Sequence, residues 1–163
     1  MNPEKKIKEL GITLPSATPP AANYANAVRS GNLMFLAGKG PLPENGNLPK
    51  GKLGESFTVE EGYRFARSAG INLLAVIRAE LGSLDRVARI VEVQGFVNAI
   101  PEFEEHANVL DGCSDLFAAV FEARGVHARS VLGVSSLRSG LPIVIKAIIE
   151  VDASLPPAPA ESH

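Results

Sequence analysis

The sequence holds a single cysteine, Cys113, among its 163 residues. No disulfide can form within the chain, and no Cys/His group has the spacing of a zinc site. There is no basic excess either: 16 Lys and Arg face 18 Asp and Glu, for a formal charge of −2. A nucleic-acid binder carries a positive surplus to neutralise phosphates. The densest basic cluster, Lys5, Lys6 and Lys8, falls in an N-terminus expected to fray. Long hydrophobic runs are missing; "INLLAVI" is far short of the roughly 20 residues that span a bilayer. The opening "MNPEKKIKELG" lacks the apolar stretch of a signal peptide. No internal repeat occurs, and "GKGP" lacks the spacing of a phosphate loop. These absences argue against nucleic acid and membrane as partners and call for no metal or cofactor. The simplest address is the cytoplasm.

What is present is enough apolar material, 45% of the chain, for one domain with a substantial core. That domain is expected over residues 1–152, with 1–20 as an N-terminal extension. "ASLPPAPAESH" at 153–163 reads as a mobile Pro/Ala tail. "PEKKIKELG" fits a short helix ending at Gly11, and "LPSATPPAA" is extended. "YANAVRSGNLMFLAGKG" reads as two strands around Ser30-Gly31-Asn32, followed by a polar Gly/Pro-rich loop.

"FTVEEGYRFARSAGINLLAVIRAELG" is a long helix. Thr58 and Glu61 have capping-box spacing, Gly82 is a stop, and Tyr63, Ala66, Gly70, Leu73, Leu74, Ile77 and Leu81 form its apolar face. "RVARIVEVQGFVNAI" alternates as a strand, with Val87, Arg89, Val91 and Val93 on one side and a bulge expected at Gly95. A second helix places Cys113, Leu116, Phe117, Val120 and Phe121 on one face, with Gly125 able to close it. Asp111 suits its N-cap and Asp115 its first turn. Strands at roughly 129–135 and 142–151 finish the chain.

This order predicts an α+β fold of two layers, a mixed sheet with two helices on one face. "IVIKAIIEV" is apolar on both parities, so it should be buried on both faces. With no helix left to cover the second face, another copy of the chain is the natural cover, and a homo-oligomer is expected.

Two stretches carry a resemblance. "NYANAVRSGNLMFLAGKGPL" resembles the N-terminal signature of the YjgF/reactive intermediate deaminase family, and "HARSVLGVSSL" its C-terminal signature. The pair "DGCSDLF" and "HARSVLGV" is similar to a YjgF-like branch with "NGASDLL…HARSAVGV". The likeness runs from about Tyr24 to Val151. It implies a chorismate-mutase-like fold and a homotrimer with sheets packed at the centre. It also implies clefts between subunits where Arg129 forks onto the carboxylate of a small 2-oxo or 2-imino acid. A planar guanidinium suits that task. Tyr24 and Gly38 match the family's cleft residues, and backbone groups near Val131 would hold the imine end.

The activity so implied is hydrolysis of enamine or imine intermediates with release of ammonia. The deaminase branch orients water with a glutamate, and that position falls here on Val144, with Lys146 at the next acidic position. Val144 can neither take a proton nor orient water. Arg138 replaces a proline, and Ala37 and Lys39 stand where Ser and Gln are usual. The expected function is therefore a binder of small 2-oxo or 2-imino carboxylates. An active deaminase is the alternative, and an endoribonuclease, the family's older label, a second one.

Each residue also has a plainer reading. Arg129 could cap a strand edge or pair with a carboxylate across the trimer, and Tyr24 could be a packing residue with a wet hydroxyl. His106 and His127 have no partner at metal or triad spacing, although His127 shares the parity of Arg129 and could line a cleft mouth. Lys146 or His127 could compensate for the missing glutamate. Glu150 is too far along the strand to do so. Cys113 reads as a buried helix residue.

Overall fold

The structure is a computed structural model and describes residues 2–154. Of the tail expected at 153–163, the part from 155 on lies outside the described residues. Helix α1 (Pro3–Glu9) starts from Asn2, whose side chain accepts from the Lys5 N–H, with Pro3 in the first turn. This segment is docked, not frayed. Ile7 is buried, and Glu4 accepts from the Leu84 N–H and pairs with Arg78. Asp85 accepts from the Glu4 N–H in return.

Five strands form one sheet: β1 (Ala27–Ser30), β2 (Leu33–Leu36), β3 (Val87–Asn98), β4 (Ala128–Val134) and β5 (Ile143–Val151). Their order is β1-β2-β5-β3-β4. Every pairing is antiparallel except β3–β4, so the sheet is mixed, with β1 and β4 at its edges. Two register shifts in β3, between Val87 and Arg89 and between Ile90 and Glu92, change which parity faces inward. The buried set is therefore Val87, Ile90, Val93 and Val97, not the simple alternation read from the sequence. Gly95 is not the bulge. A Cβ there would lie 2.8 Å from Leu110 Cδ1, so it marks where a helix lies close on the sheet.

Helices α2 (Val59–Leu81) and α3 (His106–Phe121) cover one face. The capping box of Thr58 and Glu61 is present, and Gly82 takes the left-handed conformation that ends α2. Tyr63 is not part of the core; its hydroxyl donates to Asp115 Oδ2 at 2.7 Å on the rim of the α2–α3 pair. Helix α3 begins earlier than expected, at His106 after Glu105. Asp111 and Asp115 thus lie on its second and third turns, not at its cap. It ends at Phe121, with Glu122 at a positive φ, and a 3-10 turn over Glu122–Gly125 leads into β4.

Ile143, Ile145, Ala147, Ile149 and Val151 of β5 join the helix-side core. Val144, Lys146, Ile148 and Glu150 face the other way. No helix or strand among the described residues covers that second face. It carries Val28, Leu33, Phe35 and Leu132, all exposed. Among the described residues no helix is long and apolar enough to cross a membrane.

Candidate functional site

Arg129 sits near the start of edge strand β4, opposite Val93 of β3. Val93 is buried on the helix side, so Arg129 points that way too, toward α3. Its Nη1 lies 2.9 Å from Asp111 Oδ1 and donates to Ser114 Oγ at 3.1 Å. Its Nη2 donates to the Ala107 carbonyl at 3.3 Å. Two of its N–H groups thus donate to one helix, and the Asp111 carboxylate adds an ion pair from the same helix. Its Nε–H makes no hydrogen bond among the described residues, and Nη2 makes one. The side chain remains 27% exposed, so this pair stays in contact with solvent.

His127 approaches the same serine, its Nε2 lying 2.9 Å from Ser114 Oγ, while Nδ1 lies 2.6 Å from the Gly125 carbonyl. Its edge meets the Phe117 ring. Asp111, Ser114, His127 and Arg129 line a shallow hollow of about 310 Å³ between α3 and the entry to β4. Cys113, one residue away, is fully buried; burial pushes its thiol far above the ordinary range, with Arg129 opposing weakly.

The other residues singled out gather elsewhere. Gly38 faces Val144, and a Cβ on it would come 2.8 Å from Val144 Cγ1. Its neighbour Lys39 is buried, bridged through its backbone to Ile145, and donates from Nζ to Asn26 Oδ1 at 2.9 Å and to the Thr18 carbonyl at 3.4 Å. Burial pushes its ammonium below the ordinary value; Arg138 adds to this and Tyr24 opposes it. Those bonds hold the extended N-terminal segment, and Tyr24 stands on it half exposed.

Within the chain these two groups do not meet. Val144 pairs with Phe96 and Phe96 with Leu132, so Val144 is two strand spacings, about 10 Å, from β4. Arg129 is three residues further along and on the opposite face. Arg129 and Val131 form one cluster; Tyr24, Gly38 and Val144 form another. Lys146 is exposed on the second face of the sheet.

A cavity of about 430 Å³ opens on the Arg129 side of β4, toward the far end of the strand. Gly133 forms part of its floor, and the His106 ring lies over it; a Cβ there would be 2.5 Å from His106 Nε2. Phe103 meets that ring edge-on at 5.1 Å. The His106 ring nitrogens make no hydrogen bond among the described residues. Lys52 enters from the loop before α2, its Nζ held by Asn98 Oδ1 at 2.8 Å and by the Ser135 carbonyl. Glu55 stands on the rim.

A mixed five-stranded sheet with its long helices on one side and an arginine held at the edge strand defines the class as chorismate-mutase-like α+β. Comparison with known proteins places the chain within that class. The model of the family described as "YjgF/chorismate mutase-like, putative endoribonuclease" matches residues 4–145. Protein TCP17 of Trypanosoma cruzi is 40% identical over 147 residues, covering 90% of this chain and 92% of its own. The crystal structure of Atu1372 from Agrobacterium tumefaciens superposes with a TM-score of 0.84 at 38% identity over 92% of each chain. A Shewanella oneidensis structure does so with a TM-score of 0.89 at 28% identity, over 93% of this chain and all of its own. The chain belongs to the YjgF family.

Sequence reading did not single out Ser114, Lys52 or the structural part of Lys39. "DGCSDLF" and "HARS" appeared as two marks of one branch, and their joint occurrence was the available signal. The structure gives the physical reason, because Ser114 bonds both His127 and Arg129.

Proposed function

We propose that the protein binds a small 2-oxo or 2-imino carboxylate at clefts between the subunits of a homotrimer, with Arg129 as the anion anchor. The observation that carries this reading is the state of the Arg129 guanidinium. It is held on α3 through Nη1 and Nη2, yet its Nε–H makes no hydrogen bond among the described residues and the side chain stays partly exposed at the sheet edge. A partly exposed guanidinium with donor capacity left suits a carboxylate. An edge strand also leaves backbone groups unpaired, and those near Val131 lie beside the anchor. Tyr24, Gly38 and Val144 would come from a neighbouring copy, since one protomer holds the two clusters apart.

The trimer is supported by the uncovered apolar face of the sheet, with Val28, Leu33, Phe35 and Leu132 exposed on it. Val144, packed on Gly38, stands where the deaminase branch has its glutamate, and an isopropyl group cannot move a proton. Binding without hydrolysis is the reading that follows. His127 is a poor substitute base because both ring nitrogens are engaged. Lys146 is on the other face.

One observation favours the deaminase reading in second place. The His106 ring is open to a 430 Å³ cavity on the anchor's side of the sheet. A free imidazole there could serve as acid or base. The endoribonuclease reading has no comparable support: the chain's net charge is negative.

The test generates 2-aminoacrylate in situ with a dehydratase and follows ammonia release with and without the protein. No acceleration is expected, together with thermal stabilisation by 2-oxobutyrate that Arg129→Ala removes. Acceleration that His106→Ala abolishes would establish the deaminase instead. Equal stabilisation of wild type and Arg129→Ala would remove Arg129 from the site.

A further inference from the structure

We infer that Ser114 and His127 are positioning residues, a directed hydrogen-bond relay that sets the Arg129 guanidinium before any ligand arrives. The inference deepens the anion-anchor reading and rests on it for its functional meaning.

The direction of the relay follows from donor and acceptor chemistry. The Gly125 carbonyl can only accept, so the neutral His127 ring must carry its hydrogen on Nδ1. Nε2 is then an acceptor, and the group 2.9 Å away is the Ser114 hydroxyl, which must donate to it. With its hydrogen committed, Ser114 Oγ turns its lone pairs outward, and one receives the Arg129 Nη1 N–H at 3.1 Å. Arg129 donates to Ser114, Ser114 to His127, and His127 to the main chain. Each bond fixes the sense of the next.

The relay has a consequence for the anchor. An arginine side chain is long and rotatable, and ordering it on binding costs affinity. Here Ser114 and Asp111 both hold Nη1, and the Ala107 carbonyl holds Nη2. Three contacts from one helix thus hold the guanidinium. Nε–H makes no hydrogen bond among the described residues. Asp111 alone could pivot with the arginine; the serine, locked by the histidine, removes that freedom. Substituting Ser114 should therefore release the plane while leaving the ion pair to Asp111 in place.

The test begins on the ligand-free, full-length protein. Ring ¹⁵N NMR should show His127 protonated on Nδ1 and not on Nε2. The Arg129 guanidinium signals should be those of a side chain in slow rotation. In Ser114→Ala they should average toward those of a mobile arginine, and in Ser114→Thr, which keeps the hydroxyl, they should not. Calorimetry with 2-oxobutyrate should then show about a tenfold weaker Kd for Ser114→Ala and for His127→Phe, the loss of one charge-assisted bond's worth of order. Ser114→Thr should restore the affinity. A His127 ring protonated on Nε2, or Arg129 signals unchanged in Ser114→Ala, overturns the relay. If the wild type does not bind 2-oxobutyrate but the NMR results are as expected, the carboxylate reading fails and the relay stands as a device that fixes Arg129.

Discussion

Arg78 grips Glu4 with two prongs, Nη2 to Oε2 at 2.6 Å and Nε to Oε1 at 3.1 Å. Because Leu84 also donates to Glu4 Oε1, one carboxylate ties α1 to the end of α2 and to the turn that leads into β3. Burial raises the Glu4 pKa, but the Arg78 hydrogen bonds, the Leu84 N–H, and the charges of Arg78 and Lys8 outweigh it, and the net shift is downward. A carboxyl with a lowered folded pKa adds stability above its unfolded value, and that contribution disappears as pH falls through the folded one. Docking of α1 should therefore hold at neutral pH and loosen below the ordinary glutamate value of 4.5. Amide exchange of α1 across pH 3 to 7 checks this. Glu4→Gln should loosen α1 at neutral pH and cost about 1 kcal/mol, given the partial exposure of the pair. Protection of α1 that is independent of pH would contradict the assignment.

The crossing of α2 and α3 depends on Gly112. A Cβ there would fall 2.0 Å from the Tyr63 carbonyl oxygen, and main chain cannot step aside as a side chain can. Gly112→Ala should cost about 3 kcal/mol, the upper end of overpacking, read by urea unfolding at fixed protein concentration. Gly133→Ala is the contrast, because the nearest atoms to its new methyl belong to the His106 side chain and not to main chain. Its stability should stay near wild type. Equal effects at both positions would show that the helix crossing is looser than described.

The uncovered face of the sheet predicts assembly behaviour. Phe35→Glu and Leu132→Glu place carboxylates among exposed apolar side chains. Light scattering should give a mass of three chains for wild type and of one chain for the double variant. A single-chain mass for the wild type ends the trimer proposal.

Cys113 should be inert toward thiol reagents in the folded protein. It is fully buried and its thiol is held protonated by that burial. Ellman's reagent is expected to react only after denaturation. Rapid reaction under native conditions would mean that α3 opens locally.

The elements were legible because their signals are local. The capping box of Thr58 and Glu61, the apolar spacing of Cys113 to Phe121 and the Gly31 turn are each written within a few residues, and each appears where expected. The buried face of β3 is not legible locally because β3 carries extra residues in its pairing with β5, some sixty residues away, and no local pattern announces them. Asp111 and Asp115 were misplaced for a related reason. Glu105, at the N-cap of α3, makes no side-chain capping bond to the helix main chain, so the helix start has no chemical mark, and the aspartates that resemble one serve the arginine and Tyr63. Arg129 could be found as a charge in a strand. Its partners could not, since Ala107, Asp111 and Ser114 converge on it only through the packing of α3 along β4.

The place of β5 between β2 and β3 bears on how the chain acquires its shape. Leu33 of the first hairpin pairs with Glu150, more than a hundred residues later. On a translating ribosome, β1 and β2 must wait as an unsupported ribbon, and β3 must wait with one side unpaired, until the last strand emerges. Contacts so distant in sequence make for slow closure and leave sheet edges open meanwhile. The α2–α3 pair, assembled from nearer segments, is available earlier as a template. Folding should therefore finish by insertion of β5, and variants that weaken β5 should populate an intermediate with helices formed and the sheet split in two.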